Sequence, residues 1–530
     1  MPSKETTASG GLELEAFTKL ELASIPTGPL SDTDLAFSSA TTLAHLICTR
    51  RITSTQILEI YLSRISCYNE RLNAIVTLDI STARSFAKQC DEAVQSSTKP
   101  LGPLHGVPFT IKDAFATKGL RTTSGMMERK DHVPDWDAVV VERLKAAGAV
   151  LMGKTNVPRE ITGQETVSEC LGRCRNPWDL ERTSGASSGG AAVAVSAGLC
   201  GFEVGSDSGG SIRQPSHCCG IYGHFSTHSL VAPRGHLPSV DKDQPEKNPD
   251  LLSIGPMARS PSDLALILDI IRGPDPLLPY LQGPTLLPHT PKPLSEHRVA
   301  IWMEDTTYPL GVPIRAAFTS LIRNLTPHLK SLSTTARPPF TFTDAARTAF
   351  QLWVASSSAS TPPEKLNKLR KIRNDSEESH KPYTVLHANS ELLRHGDYLR
   401  LDTHRQSISL KFSQFFKEYD ILLCPVIPTT AFPHDTQSFT NPDCVSSVDH
   451  RLSKTLTVNG EEVPYVNQLL WPSIVGMCGL PSAVIPIAEE GLPVGIQVVG
   501  PKGGDLATIW FAELVRGVVG GYRRPPGYED

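Results

Sequence analysis

The stretch Arg182-Thr-Ser-Gly-Ala-Ser-Ser-Gly-Gly190, followed by Gly205-Ser-Asp-Ser-Gly-Gly-Ser-Ile-Arg213, decides how this chain is read. Each loop brings backbone N–H groups, unshielded by bulky side chains, up to a serine hydroxyl. Between the loops, Gly190 to Gly198 reads as a small-residue helix and Phe202 to Ser206 as a strand. Upstream, Gly106-Val-Pro-Phe-Thr-Ile-Lys-Asp113 sets one lysine on an apolar strand. A lysine and two serines suffice for acyl transfer without histidine.

Outward from this stretch, short apolar runs alternate with helical ones. Val107 to Ile111 reads as a strand, Trp136 to Ala147 as a helix ended by Gly148, and Ala149 to Met152 as a strand. Helical spacing also runs from Ala40 to Ile75, where Ile57, Leu58, Tyr61, Leu62 and Ile65 recur and Thr53 or Ser54 stands at the N-cap. Leu264 to Ile271 reads as a further helix. Tyr419 to Pro428 is a buried strand, and Gly479 to Pro486 and Gly491 to Pro501 are two more, joined by a tight turn. The alternation predicts an α/β fold in one large domain: a mixed, mostly parallel β-sheet core covered by helices on both faces. Residues 1–35 are expected to form a flexible extension and 36–525 the catalytic domain, with its core at about 100–270 and 415–520. The Pro- and Ser/Thr-rich region of about 274–414 reads as a peripheral layer that caps the site.

At 530 residues with 39% hydrophobic content, the chain can bury a large core. The net charge of −4 and the scattered basic residues give no electrostatic footprint for nucleic acid or an anionic membrane. A small neutral substrate is expected instead. The eleven cysteines are irregularly spaced and sit in apolar runs such as Leu46-Ile-Cys48, as reduced thiols do. The first thirty residues lack the pattern of a signal peptide, and Gly189 to Phe202 has too little apolar bulk to span a bilayer. A cytoplasmic protein without a membrane span is the expectation.

Ser211 follows Ser208-Gly209-Gly210, where a strand gives way to a helix, so the N–H groups of Ser208 to Ser211 can form a nest for a developing oxyanion. Losing one such donor costs roughly 3 to 4 kcal/mol of transition-state stabilisation. Ser211 is therefore the candidate nucleophile. Lys112 can serve as its base if burial among Val107, Phe109 and Ile111 lowers its pKa from about 10.4 by roughly 3, at about 1.4 kcal/mol each. Neighbouring cationic donors would assist, and Asp113 is expected on the opposite face of the strand. Ser187 can relay the proton between Ser211 and Lys112, with Ser188 as the second hydroxyl of its loop. The glycines around Ser187 permit an unusual backbone, a cis peptide included.

Taken with Gly153-Lys-Thr-Asn-Val-Pro158, Asn176-Pro-Trp-Asp179, Cys219-Gly220 and Gly255-Pro-Met-Ala-Arg259, these motifs resemble the amidase signature family from about residue 40 to about residue 520. The resemblance implies that family's fold, with Lys112 as base, Ser187 as the relay serine after a cis peptide and Ser211 as the acyl-forming nucleophile. It also implies an oxyanion hole from the amides of Ser208, Gly209, Gly210 and Ser211, and a substrate contact at Ile161 through its backbone. Asp207 and Arg213 are expected to form a structural pair. No metal and no cofactor is implied. The chain departs from the family at Ala186, where a second glycine is usual, and at Gly223-His-Phe-Ser-Thr227, where a lysine-proline pair is missing.

The function expected is hydrolysis of a small-molecule carboxylic amide to an acid plus ammonia or an amine, a specialised metabolite or xenobiotic amide being one class. A homodimer is one assembly this reading allows. The rival within the family is a glutaminase-type amidotransferase component that works with a partner subunit. Outside it stand a nucleophile elbow that makes Ser187 the nucleophile and a glycine-loop nucleotide-binding module. A zinc site drawn from His217, Cys218, Cys219, His224, His228 and His236 is a further rival. Trp302, Phe350, Trp353 and Trp471 are expected in the core rather than in a specificity pocket.

Overall fold

Two short, wholly buried strands, Pro108–Lys112 and Glu203–Asp207, carry the site. The computed structural model describes residues 10–96, 102–237, 250–277, 283–305, 307–358, 361–374, 382–435, 452, 454–488 and 490–529. One sheet holds β1 (Ile75–Leu78), β2 (Pro108–Lys112) and β3 (Val150–Thr155), in the order β1-β3-β2. A second sheet holds β4 (Glu203–Asp207), β5 (Tyr222–Phe225), β6 (Ser253–Ala258), β7 (Arg298–Ile301), β8 (Ser331–Ser333), β9 (Ile421–Pro425), β10 (Ser482–Pro486) and β11 (Gly495–Val499). Its order is β8-β7-β9-β11-β10-β5-β6-β4. The two sheets meet where Phe109 of β2 stacks on Phe202, ring centroids 5.1 Å apart, and Gly201 N–H donates to Pro108 O at 3.0 Å. Lys112, at the end of β2, is thereby brought alongside β4.

The α/β domain and its mixed sheet match the expectation, but the sheet is less parallel than the alternation predicts. Parallel pairing is confined to β2–β3, β7–β8 and β7–β9. The pairs β4–β6, β5–β6, β5–β10, β10–β11 and β9–β11 are antiparallel. The cause is an insertion. The helix Arg213–Cys219 returns β5 in the same direction as β4, but β6 arrives later in the chain and slots between them with reversed direction. Local sequence shows the crossover and not the strand that splits it.

Helix signals fall close to where the sequence puts them. Thr53 caps the helix Ser54–Leu72 by accepting from Gln56 N, and Ile57, Leu58, Tyr61 and Ile65 are its buried face. Val139–Ala146 ends through Ala147 before Gly148, whose φ of 85° stops it. Ser260 caps Pro261–Ile271. The helix Gly189–Ser196 is wholly buried because its residues are small. At Gly190 a Cβ would lie 2.3 Å from Asn156 N and 2.7 Å from Ala74 O, so the helix packs directly on backbone.

Two expectations about the layout need correction. Residues 1–9 lie outside the described residues, but from Gly10 the supposed extension is a helix, Gly10–Ala23. Phe17 on that helix is 1% exposed and meets Trp510 edge-on with ring centroids 5.1 Å apart. An aromatic side chain buried this fully outweighs the polar composition around it. The region 274–414, read as peripheral, supplies β7 and β8 at one edge of the central sheet. Its helices Phe342–Ser357 and His395–Glu418 form a second apolar cluster, with Phe342, Leu352 and Phe412 packed around Trp302 and Trp471. Among the described residues the cysteines are all unpaired, and no helix is long and apolar enough to cross a membrane.

Candidate active site

β2 delivers Lys112 into a fully buried position. Its Nζ lies 2.8 Å from Ser187 Oγ, 2.9 Å from Ser206 Oγ and 3.2 Å from Ser206 O. Burial draws the amine pKa down to about 7, against the carboxylates of Asp207 and Glu203, which act to raise it. The cationic neighbours expected to assist are absent from this balance; desolvation alone does it. Asp113 points to the other face as strand alternation requires, where it accepts from Thr123 N at 3.1 Å. On that face lies a second buried lysine, Lys154, which donates to Thr117 Oγ1 at 2.9 Å and to Thr122 Oγ1 at 3.1 Å.

The Ser187 loop and the Ser211 loop are tied together. The Ala186–Ser187 peptide is cis, as the resemblance implied, even with alanine in place of the second glycine. Ser188 N–H donates to Ser211 O at 3.1 Å. Thr166 Oγ1 donates to Gly185 O at 2.9 Å, which joins the segment after Ile161 to the same loop. Ile161 closes a short turn after β3 with φ of 52°, a left-handed conformation that a β-branched residue rarely adopts.

Asp207, the last residue of β4, organises the loop that holds the candidate nucleophile, Ser211. Its carboxylate accepts from Ile212 N at 3.0 Å and pairs with Arg213 through Nε and Nη2, each at 2.9 Å. Burial raises its pKa, but Arg213 and the backbone donors outweigh that and hold it below the ordinary value. Arg213 also donates to Pro472 O at 2.7 Å and to Gln497 Oε1 at 2.9 Å, and its guanidinium lies over the Phe225 ring at 4.3 Å. The expected structural pair is therefore present. One donor of the expected nest is not: Gly210 N–H donates to Asp207 Oδ1 at 2.6 Å, because the carboxylate reaches around the turn. The amides of Ser208, Gly209 and Ser211 donate to no protein acceptor among the described residues.

The surroundings of this loop correct a further expectation. A Cβ on Gly209 would lie 3.5 Å from Ser473 Oγ, 3.6 Å from Trp353 Nε1 and 3.8 Å from Leu469 Cδ2. Trp302, Phe350 and Trp471 are core residues as expected, but Trp353 is only half-buried and stands at the nucleophile loop. Helical spacing alone does not reveal which aromatic on Phe342–Ser357 faces the site.

The histidines drawn together as a zinc site are held apart. His217 lies between Gly495 and Thr429, with Nε2 3.0 Å from Thr429 O, and burial draws its pKa down to about 4. His224 Nε2 is 2.9 Å from Asp505 Oδ1, and His236 Nε2 is 2.8 Å from Ser206 Oγ. Among the described residues no group of three or more His, Cys, Asp or Glu is placed to hold a metal. The nucleophile-elbow rival fails on topology. Asp179–Thr183 is a strand before the Ser187 loop, but it pairs with Arg175–Asn176 in a ribbon outside the central sheet. Sequence reading missed Ser206, whose only signal is a hydroxyl on the strand beside Lys112, and it named His236 only within the rival zinc cluster.

Set beside known proteins, the chain matches the family model described as amidase over residues 56–509. The A-type component of the glutamyl-tRNA(Gln) amidotransferase of Moorella thermoacetica is 31% identical over 497 residues, covering 88% of this chain and 93% of that protein. Its counterpart from Prochlorococcus marinus is 30% identical over 493 residues, covering 87% and 93%. A solved structure of a vestigial protein complex tied to the origins of an s-triazine catabolic enzyme has a TM-score of 0.74 and 26% identity, covering 92% of this chain and 99% of that one. A bacterial aryl acylamidase shares the fold with a TM-score of 0.74 at 21% identity, covering 91% and 96%. The chain is thus an enzyme of the type that hydrolyses carbon–nitrogen bonds, and it belongs to the amidase family that carries the amidase signature.

Proposed function

We propose that the chain cleaves a carboxylic amide through an acyl-enzyme on Ser211, with Ser187 and Lys112 moving the proton. The observation that carries this reading is the 2.8 Å contact between Ser187 Oγ and a buried Lys112 amine whose pKa is drawn down to about 7. An amine neutral near pH 7 can accept a proton, and a hydroxyl can pass one on. Ser211 Oγ attacks the amide carbon while its proton travels through Ser187 to Lys112. The oxyanion takes hydrogen bonds from the amides of Ser208, Gly209 and Ser211. The C–N bond breaks as Lys112 returns the proton, through Ser187, to the departing nitrogen. Water then attacks the ester, giving its proton to the same pair; the bond from Ser211 Oγ to the acyl carbon breaks, the pair returns the proton to Ser211 Oγ, and the acid leaves. At Ile161 the N–H donates to Pro158 O at 2.9 Å, which leaves the carbonyl of this left-handed residue for the substrate, and no step calls for a cofactor.

Among amides, the relatives support glutamine. They are named as components of a glutamyl-tRNA(Gln) amidotransferase, and in this reading the chain is a glutaminase-type component that releases ammonia in the cytoplasm beside partner subunits. A second reading, an amidase acting alone on an apolar amide, rests on Trp353 and Leu469 at the nucleophile loop. Two measurements test these readings. A fluorophosphonate is expected to label Ser211 stoichiometrically, and labelling at Ser187 instead would restore the nucleophile elbow. Ammonia release from glutamine, set against a panel of aliphatic, aryl and fatty amides, separates the two substrates. If Ser211→Ala cleaves as well as the wild type, the reading is wrong.

A further inference from the structure

We propose that His236 is a positioning residue that sets the direction of the hydrogen bonds around Lys112. This rests on Lys112 being the base. A neutral amine has two hydrogens and one lone pair, and Lys112 Nζ has three oxygen neighbours: Ser187 Oγ, Ser206 O and Ser206 Oγ. To take a proton from Ser187, the lone pair must face Ser187 Oγ. Both hydrogens then go to Ser206, one to its carbonyl and one to its hydroxyl oxygen. Ser206 Oγ can accept from Lys112 only if its own hydrogen points elsewhere. His236 Nε2, 2.8 Å from Ser206 Oγ, is the acceptor that takes it.

The opposite orientation disables the base. If Ser206 donated its hydrogen to Lys112, it would occupy the lone pair that Ser187 needs. His236 prevents this as long as it is neutral with its proton on Nδ1. Its surroundings favour the neutral form: it is 8% exposed, and burial first and the Lys112 charge second draw its pKa down to about 3. The charged groups facing this chain of bonds are Lys112, Asp207 and Glu203. Lys154 approaches from the far side and is bonded to the carbonyl of Phe115. The ring of Phe115 meets His236 edge-on with centroids 5.2 Å apart, and a backbone bridge between the two residues fixes the imidazole in place.

The test uses a fluorophosphonate, so that no substrate need be known. Ser211 Oγ displaces fluoride, an O–P bond replaces the P–F bond, and the serine proton passes to Lys112. The rate of labelling is followed against pH for the full-length wild type, His236→Leu and His236→Gln, with thermal melting as the check on folding. Leucine offers no acceptor, so labelling is expected to slow by about tenfold or more, a modest share of what a general base supplies. Its acid limb is expected at lower pH than in the wild type, because protonated Lys112 would leave the Ser206 hydrogen without an acceptor. Glutamine can present an acceptor oxygen at the same place and is expected to restore most of the rate. In a Ser206→Ala background, His236→Leu should change nothing further.

Equal slowing by leucine and glutamine, or a leucine variant with wild-type rate and pH midpoint, overturns the proposal. A reading that needs no variant comes from nitrogen-15 histidine NMR of the wild type. A proton on Nδ1 near neutral pH supports the proposal, and a proton on Nε2 sinks it. If the wild type is not labelled at Ser211 at all, the proposed function has failed, and the NMR result still decides the bonding of His236.

Discussion

At the scale of single residues, the proposed mechanism depends on one amine that has lost its hydration. Because the pKa of Lys112 is drawn down to about 7, its proton is shed as pH rises through that value, and only the neutral form can act as base. Activity is therefore expected to climb from about pH 6 to about pH 8 and to level off above, which a rate profile checks. Lys112→Met removes the proposed base without removing bulk and is expected to lower kcat by a factor of about 10³ or more, as losses within an interdependent catalytic unit do. A fall of less than about tenfold would mean that another group takes the proton. This lysine was legible in the sequence because a charge in an apolar strand is conspicuous. Ser206 and His236 were not, since their contacts join positions 30 residues apart that no local pattern links.

At the scale of elements, the nucleophile loop is held by a buried ion pair. Arg213→Met would leave the Asp207 carboxylate uncompensated and is expected to cost about 3–5 kcal/mol. The loss has a pH signature. Asp207 sits below its ordinary pKa in the native protein, so its contribution is present above the unfolded value and fades as pH falls through the folded one. The gap in melting temperature between wild type and variant should accordingly narrow on acidification; a constant gap would assign the loss to packing. A second element-level prediction concerns Gly190→Ala, whose methyl would run into the backbone of Asn156 and Ala74. Backbone cannot step aside as a side chain can, so about 1–3 kcal/mol of stability is expected to be lost, measurable by denaturant titration. Element positions were largely readable from caps, glycine stops and apolar spacing. Strand neighbours were not, because β6 is inserted between β4 and β5 by pairing that spans tens of residues.

At the scale of the whole molecule, the N-terminal helix is part of the body. Phe17 packs on Trp510, and Glu21 reaches Arg516 at 3.1 Å, so the helix Gly10–Ala23 is clasped to the helix Asp505–Val519. Phe17→Ala is expected to cost about 3–5 kcal/mol, and an unchanged melting temperature would show that the clasp is dispensable. Polar composition concealed this clasp, since a single buried aromatic leaves little trace in an average. The order of strands also governs how the enzyme comes into being. Among the described residues, the sheet half holding β4, β5 and β6 joins the half holding β7, β8 and β9 only through the β10–β11 hairpin, residues 482–499. That hairpin is a keystone, and it is synthesised after all six of the strands it joins. Until it emerges, the nascent chain carries two open sheet margins and depends on chaperones or on speed to keep them from sticking to neighbours.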